Sequence, residues 1–378
     1  MMKKRIVVIG LGDAGLLTAM RLPSSYEVIA ISAKQSFVSG QEVGNRIAQL
    51  DAWKELNHRN FSRFQKMDHV RIIHGLVKSV DLQEQTVAIE STNEDEQEIQ
   101  QQYDALLIAT GTTNGFWRND KLETNQQIDE NLSSQAQKFQ SAETIAIVGG
   151  GPTAVSAASN LKLAYPEKAV HLFFSRPTVL AGYADKTRAS VQKLLQDQGV
   201  ELHENHRVKI EGVDLHEIGT GEIQWQTPTD AKAFSADAIL WAVGAIQPNN
   251  KCLPEKLLDE DGFVKVTPQL YHPDFPNVFA IGDICASDPN RSSARNGAFD
   301  IVAKNVDLYL KGKSRKLKSF SAPKYRWGSI LGIQPEGMRV YAQNGSDFLV
   351  RKWLLEKVLQ PFVVQKVLFR GVRKVSPN

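Results

Sequence analysis

The chain has 378 residues, 42% of them hydrophobic and 23% charged. That balance predicts a globular protein of two or three domains and excludes a chain too polar to bury a core. Net charge is only +3, yet residues 1–307 carry 30 Lys and Arg against 39 Asp and Glu, and residues 308–378 carry 15 against 3. A basic tail on an acidic body predicts an anionic partner surface for residues 311–378. No apolar run reaches the roughly 18 residues of a membrane span. Met1-Met-Lys-Lys4 leads straight into a strand, so no secretory segment is expected, and Met2 stands where N-terminal myristoylation needs glycine. Cys252 and Cys285 fit neither a CxxC pair nor a metal-ligand spacing. They predict a reducing, cytoplasmic setting, no dithiol chemistry and no metal.

The chain opens with the apolar strand Arg5-Ile-Val-Val-Ile9, the turn Gly10-Leu-Gly-Asp-Ala-Gly15 and a helix through Leu22. Strand, glycine turn and helix together let backbone N–H groups approach a pyrophosphate at a helix N-terminus. A second strand, Glu27–Ile31, follows. Val70–Ile73 and Thr86–Ile89 read as a small meander, and Asn93–Glu98 as its solvated hairpin tip. Tyr103–Thr112 is a buried strand ending in Ala109-Thr110-Gly111. Residues 117–142 are Gln-rich and read as a linker and a lead-in helix.

The pattern then repeats. Ile145-Ala-Ile-Val148 precedes Gly149-Gly-Gly151-Pro152-Thr153-Ala154, a helix over 155–163 and a strand Ala169–Phe174. A helix over 186–197 and strands near 207–211 and 222–226 follow. Ala236–Ala245, with Ala242-Val243-Gly244, mirrors 103–112, which signals an internal duplication. Asn277–Asp283 ends in Gly282-Asp283, and a helix is expected over 294–310. Two glycine turns, each after a buried strand, predict two bound dinucleotides.

The order GxGxxG, Ala-Thr-Gly, a second GxGxx(G/A) and apolar-Gly-Asp resembles the flavin-dependent pyridine-nucleotide oxidoreductases over residues 5–307. The resemblance implies an α/β fold with two Rossmann-like domains, the second inserted in the first. FAD would lie across 1–113 and 249–310, NAD(P)H across 114–248, and 311–378 would form a small α+β segment. Asp283 would bind the ribityl or pyrophosphate region. Residues 34–50 hold no redox Cys pair, and Ser293–Gly297 lacks the Ala-Gln-x-x-Gln motif of type II NADH dehydrogenases. Lys34-Gln-Ser-Phe37, His74-Gly-Leu-Val77 and Tyr165-Pro-Glu-Lys168 instead resemble the apoptosis-inducing-factor-like, ferroptosis-suppressor-like NAD(P)H:quinone reductase branch. That branch implies flavin contacts from Val77 and Arg46, and an acceptor site near Lys357 and Phe362. It implies hydride transfer from NAD(P)H to FAD, then two electrons to a quinone-like acceptor. A reductase of a ferredoxin or rubredoxin, and a low-turnover flavoprotein that binds nucleic acid or a partner through its basic tail, are the alternatives.

Four departures from the family pattern shape the expectations. Ser32 stands where an acid usually holds the adenosine ribose. Asp13, within the phosphate turn, is expected to face solvent. Ala154 ends the second turn, and Ser156 replaces a carboxylate that usually lies near the nicotinamide. Ser175-Arg176 follows the strand where an acid would select NADH. A hydroxyl and a guanidinium there suit a 2′-phosphate, which favours NADPH.

In the tail, Phe348–Leu359 sets apolar residues beside basic ones at helical spacing, and Pro361 is expected to break or kink the helix. Such a face suits an anionic membrane surface. Packing on the flavin domain or in a homodimer is the other use of this face, and nucleic acid is not expected.

Overall fold

The computed structural model describes residues 3–92, 98–244, 246–287, 297–324 and 327–374. The hairpin tip at 93–97 and the stretch Ser293–Asn296 lie outside the described residues.

Two sheets, each with a parallel centre and an antiparallel edge, carry the duplication. In the first, β1 (Arg5–Ile9) lies between β2 (Glu27–Ser32) and a strand at Ala105–Ile108. Val70–Asp81, Thr86–Ser91 and Glu98–Gln102 extend it on the β2 side, and Val278–Ala280 closes the other edge, giving seven strands. In the second, Thr144–Val148 lies between Ala169–Phe173 and Phe234–Trp241, flanked by Glu201–His203 and Gly219–Ile223. Central strands such as Ile6-Val-Val-Ile9 and Ile145-Ala-Ile-Val148 are buried on both faces, as a parallel sheet covered by helices requires.

The two halves match in detail. Asp104 accepts the Arg5 backbone N–H at 2.6 Å, and Asp237 accepts that of Thr144 at 2.8 Å. Each aspartate thus anchors the start of its own central strand. Gly10 N donates to Ile31 O, and Gly149 N to Phe173 O, both at 2.8 Å. The chain leaves and re-enters the first unit side by side, where Thr112–Thr113 pairs antiparallel with Gln247–Pro248.

The helices follow local chemistry. The first-turn helix covers Asp13–Ala19, and Pro152–Ala164 starts with proline at its first position, where the missing N–H costs nothing. Asn125–Ser141 has a capping box in which Thr124 and Gln127 satisfy each other's backbone N–H. Asp185–Asp197 and Ala298–Leu310 complete the helical layers.

The tail departs from expectation. Residues 328–334, 337–341 and 347–351 form an antiparallel three-stranded sheet, so Phe348–Arg351 is strand rather than helix. Cross-strand pairing of Phe348 with Val340 and Leu349 with Arg339 overrides the helical spacing. A helix begins at Lys352 and continues as a π-type helix over Leu355–Leu368, through Pro361 rather than stopping there. The sheet packs on the second unit: Ile330, Leu331 and Tyr341 join its core. The tail then returns to the first unit, where Phe369 packs with Phe64 at 5.2 Å and Phe37 at 6.1 Å.

Candidate functional site

One cavity of about 990 Å³ lies between the two sheets. It opens at the C-terminal ends of the parallel strands, where an open α/β sheet binds ligands. Gly10, Gly12, Asp13 and Ala14 of the first turn line it, as do Gly151, Pro152 and Thr153 of the second. Ser32, Lys34, Arg46, Val77, Ala109, Thr110, Gly111, Ala242, Val243, Gly244, Gly282 and Asp283 also line it. Gly15, Gly149, Ala154, Ser175 and Arg176 do not. Gly149 packs against the end of the neighbouring strand, with the Ala242 carbonyl 2.4 Å from where a Cβ would stand, and Ser175 and Arg176 lie on open surface.

The glycines are required by close approach. At Gly10, with φ +94°, a Cβ would stand 2.5 Å from the Ala109 carbonyl oxygen. Gly12, Gly111 and Gly151 face open space with no heavy atom within 4 Å of that position. Backbone at those three points therefore presents directly to the cavity. Thr110 Oγ1, Thr112 Oγ1 and Arg46 Nε are buried there without a hydrogen-bond partner. An unsatisfied buried polar group costs about 1–3 kcal/mol, so the cavity is built for a polar ligand.

Charged residues define its ends. Asp283 accepts from Arg118 Nη1 at 2.7 Å, and Arg118 Nε reaches the Gly40 carbonyl at 3.3 Å. Asp13 does not face solvent. Its carboxylate accepts from Ser39 Oγ at 2.8 Å and Gly40 N at 3.1 Å, which ties the turn to the loop above it. Ser32 closes a local turn, accepting from Lys34 N and donating to Lys34 O. Lys34 Nζ pairs with the buried carboxylate of Glu123, which Asn131 also bonds. Burial pulls the Lys34 ammonium below its ordinary value, partly offset by Glu123. Arg46 donates to Trp117 O and Gln135, and burial brings its guanidinium down to about 10.

Sequence reasoning missed Arg118, Glu123 and the wall formed by Trp327, Ser329, Ile330 and Gly332. Nothing in motif spacing marks them, because each reaches the cavity from a distant segment. Lys357 and Phe362 are not brought to this cavity. They sit on the C-terminal helix, where Phe362 is half exposed beneath the Lys366 ammonium at 4.5 Å. Both cysteines are free thiols, and burial pushes each up to about 11. Cys252 lines the cavity, yet neither thiol is poised for exchange.

Comparison with known proteins gives this cavity its context. The family described as pyridine nucleotide-disulphide oxidoreductase matches residues 4–300. The chain belongs to this family. It is similar to ferroptosis suppressor protein 1 of Xenopus laevis, 28% identical over 325 residues and covering 82% of each chain. It is also similar to the type II NADH:quinone oxidoreductase NdhA of Mycobacterium tuberculosis, 25% identical over 75% of this chain and 66% of that one. Among solved structures, the sulfide:quinone oxidoreductase of Aquifex aeolicus superposes with a TM-score of 0.68, covering 99% of this chain and 100% of that one at 15% identity. That likeness shows the fold. As a member of the family the chain is a flavin-dependent NAD(P)H oxidoreductase whose cofactors are FAD and NAD(P)H. The branch expected from the sequence agrees with the ferroptosis-suppressor relative.

Proposed function

We propose that this protein oxidises NAD(P)H and passes two electrons to a quinone-like acceptor. The supporting observation is that both glycine turns line one shared cavity. Bound there, FAD supplies two-electron redox chemistry between nicotinamide and acceptor. The chain's own residues bind, orient and exclude water. Gly10, Gly12, Asp13, Ala14, Gly15, Ser32, Lys34, Arg46, Val77, Ala109–Gly111 and Gly282–Asp283 belong to the FAD site in this reading, across 1–113 and 249–310. The Gly12 backbone takes the pyrophosphate, and the Thr110 and Thr112 hydroxyls take polar atoms of the ring system. Arg118 and Asp283 together hold the ribityl side, and Glu123 supplies the buried carboxylate absent at Ser32.

Residues 114–248 take NAD(P)H through Gly149, Gly151–Ala154, Ser175, Arg176 and Ala242–Gly244. Arg176 is exposed on the strand-end loop, free of the acid that would repel a 2′-phosphate. Arg176→Glu is expected to cut the NADPH:NADH preference in kcat/KM by roughly 10–100-fold, from the loss of a charge-assisted contact. An unchanged ratio overturns the NADPH reading.

No helix among the described residues is long and apolar enough to cross a membrane. Instead, Trp353, Val358, Phe362, Val363 and Val367 are exposed on the C-terminal helix beside Lys352, Lys357 and Lys366. Aromatic and aliphatic groups flanked by lysine suit an anionic bilayer surface, where a lipid-soluble quinone resides. Pelleting with phosphatidylserine vesicles should fall sharply in Trp353→Ser/Phe362→Ser. Concentration-dependent dimerisation in place of pelleting rejects the membrane reading.

The deciding experiment is anaerobic bleaching of the yellow protein by NADPH and by NADH, followed by a quinone analogue. Bleaching and recovery are expected. Recovery only with a ferredoxin or rubredoxin moves the acceptor to a protein, and no bleaching with either nucleotide defeats both enzyme readings.

A further inference from the structure

A second constellation lies outside the cavity, on the outer edge of the second sheet. Strand Glu201–His203 is the edge strand there, paired parallel with Ala169–Phe173 in the register His171 opposite Glu201 and Phe173 opposite His203. Residues two apart on a strand share a face, so Glu201 and His203 point the same way, and His171 joins them from the neighbouring strand. Their ligand atoms all lie within 4.8 Å of one another. His171 Nδ1 is 3.1 Å from His203 Nε2 and 3.3 Å from Glu201 Oε2.

Those separations have a specific meaning. Zinc-to-nitrogen and zinc-to-oxygen bonds of about 2.0–2.2 Å at tetrahedral angles set donor atoms about 3.3–3.5 Å apart. The observed edges are close to that spacing before any ion is placed. Hydrogen bonding alone serves the cluster poorly. A neutral imidazole carries one ring proton, and His171 Nδ1 faces two acceptor-capable atoms at once. One proton cannot point well at both, whereas a cation between the three gives each ligand atom a partner.

The rings are already held. His203 stacks on Phe173 at 4.2 Å and 12°, and Phe173 stacks on Trp225 at 4.5 Å. His171 lies against Phe234 at 4.6 Å. Ligands locked by packing lose little entropy on binding. His171 is buried and Glu201 exposed, so the site is closed from beneath and open on one side to water.

We propose that His171, His203 and Glu201 form a surface site for a divalent transition cation of the zinc class, with water in the remaining position. Two imidazoles and one carboxylate suit zinc, cobalt, nickel or copper over magnesium or calcium. The bound ion would clamp the edge strand to its neighbour at His171, four residues ahead of Ser175. His206, the nearest other histidine, is turned away, its Nδ1 at 2.8 Å from the Glu204 carbonyl.

The test uses the full-length yellow protein after chelator dialysis, titrated calorimetrically with Zn²⁺ alone. One equivalent is expected to bind in the micromolar range or tighter. Co²⁺ in its place should give visible ligand-field bands in a difference spectrum. His171→Ala and His203→Ala should each weaken binding by at least about tenfold, Glu201→Gln by about tenfold, and His206→Ala not at all. Retained flavin colour and melting temperature in the metal-free variants certify their folding. Absence of stoichiometric binding to the wild-type chain overturns the site. So does equal binding by a folded His171→Ala/His203→Ala double variant, which would put the ion elsewhere.

Discussion

The two glycine turns share a backbone plan and differ in what their helices must do. In the first, a Cβ on Gly15 would come 2.0 Å from the Gly10 carbonyl oxygen, so helix and turn touch. In the second, the equivalent Ala154 is fully buried with its methyl in place, so that helix must stand further from its turn. The helix Pro152–Ala164 is also a packing platform. A Cβ on Gly44 would lie 2.4 Å from the Ser156 carbonyl oxygen and 2.6 Å from its Oγ. Asn160 donates to Leu331 O at 2.8 Å and accepts from Gln334 at 3.0 Å, and Ser159 bonds Gln198. The serine at 156 thus has a packing reason. Ser156 also lines the cavity, while Ser159 and Asn160 on the same helix are engaged with Gln334 of the C-terminal sheet. One motif repeated twice can serve its ligand alone in one copy and serve ligand and packing together in the other.

The largest effect should come from breaking the turns separately. Gly10→Val forces a branched side chain into a left-handed backbone and against Ala109, and should yield colourless or aggregated protein. Gly149→Val meets the same obstruction at Ala242, but it should leave a yellow protein that NADPH no longer bleaches. If both variants lose flavin equally, the two turns are not separable.

Ser156→Glu should be next, lowering stability by about 1–3 kcal/mol through overpacking against Gly44. Thermal melting checks it, and Gly44→Ala should fall in the same direction. An unchanged melting temperature would show that the helices can part at no cost.

Arg118→Ala, which leaves Asp283 without that partner, should weaken flavin retention by about 10–100-fold in dialysis, from loss of one charge-assisted contact. The smallest effect belongs to the cysteines. Cys252→Ser/Cys285→Ser should keep NADPH-dependent bleaching intact. With both thiols up at about 11, the thiolate fraction rises only as pH climbs towards that value, so maleimide labelling should be slow near pH 7 and speed up at alkaline pH. Rapid labelling near neutrality would contradict the burial.

The sequence by itself determined the class of fold. Strand–glycine–helix units, repeated with their Ala-x-Gly partners and the Asp104 and Asp237 anchors, are local patterns whose physics is complete within about thirty residues. Gly10, Gly151, Thr110 and Asp283 could be read because each sits at a fixed offset from a buried strand. Tertiary structure decided the rest. Asp13 turned inward because the Ser39–Gly40 loop offered donors. Arg118, Glu123 and Trp327 reached the cavity from segments without motifs. Phe348–Arg351 became strand because a sheet edge was there to pair with. His171 and His203 met only because parallel strands bring residues 32 apart into neighbouring positions. Periodicity reports which face of an element is apolar; it carries no record of which distant segment will cover that face or share its charges.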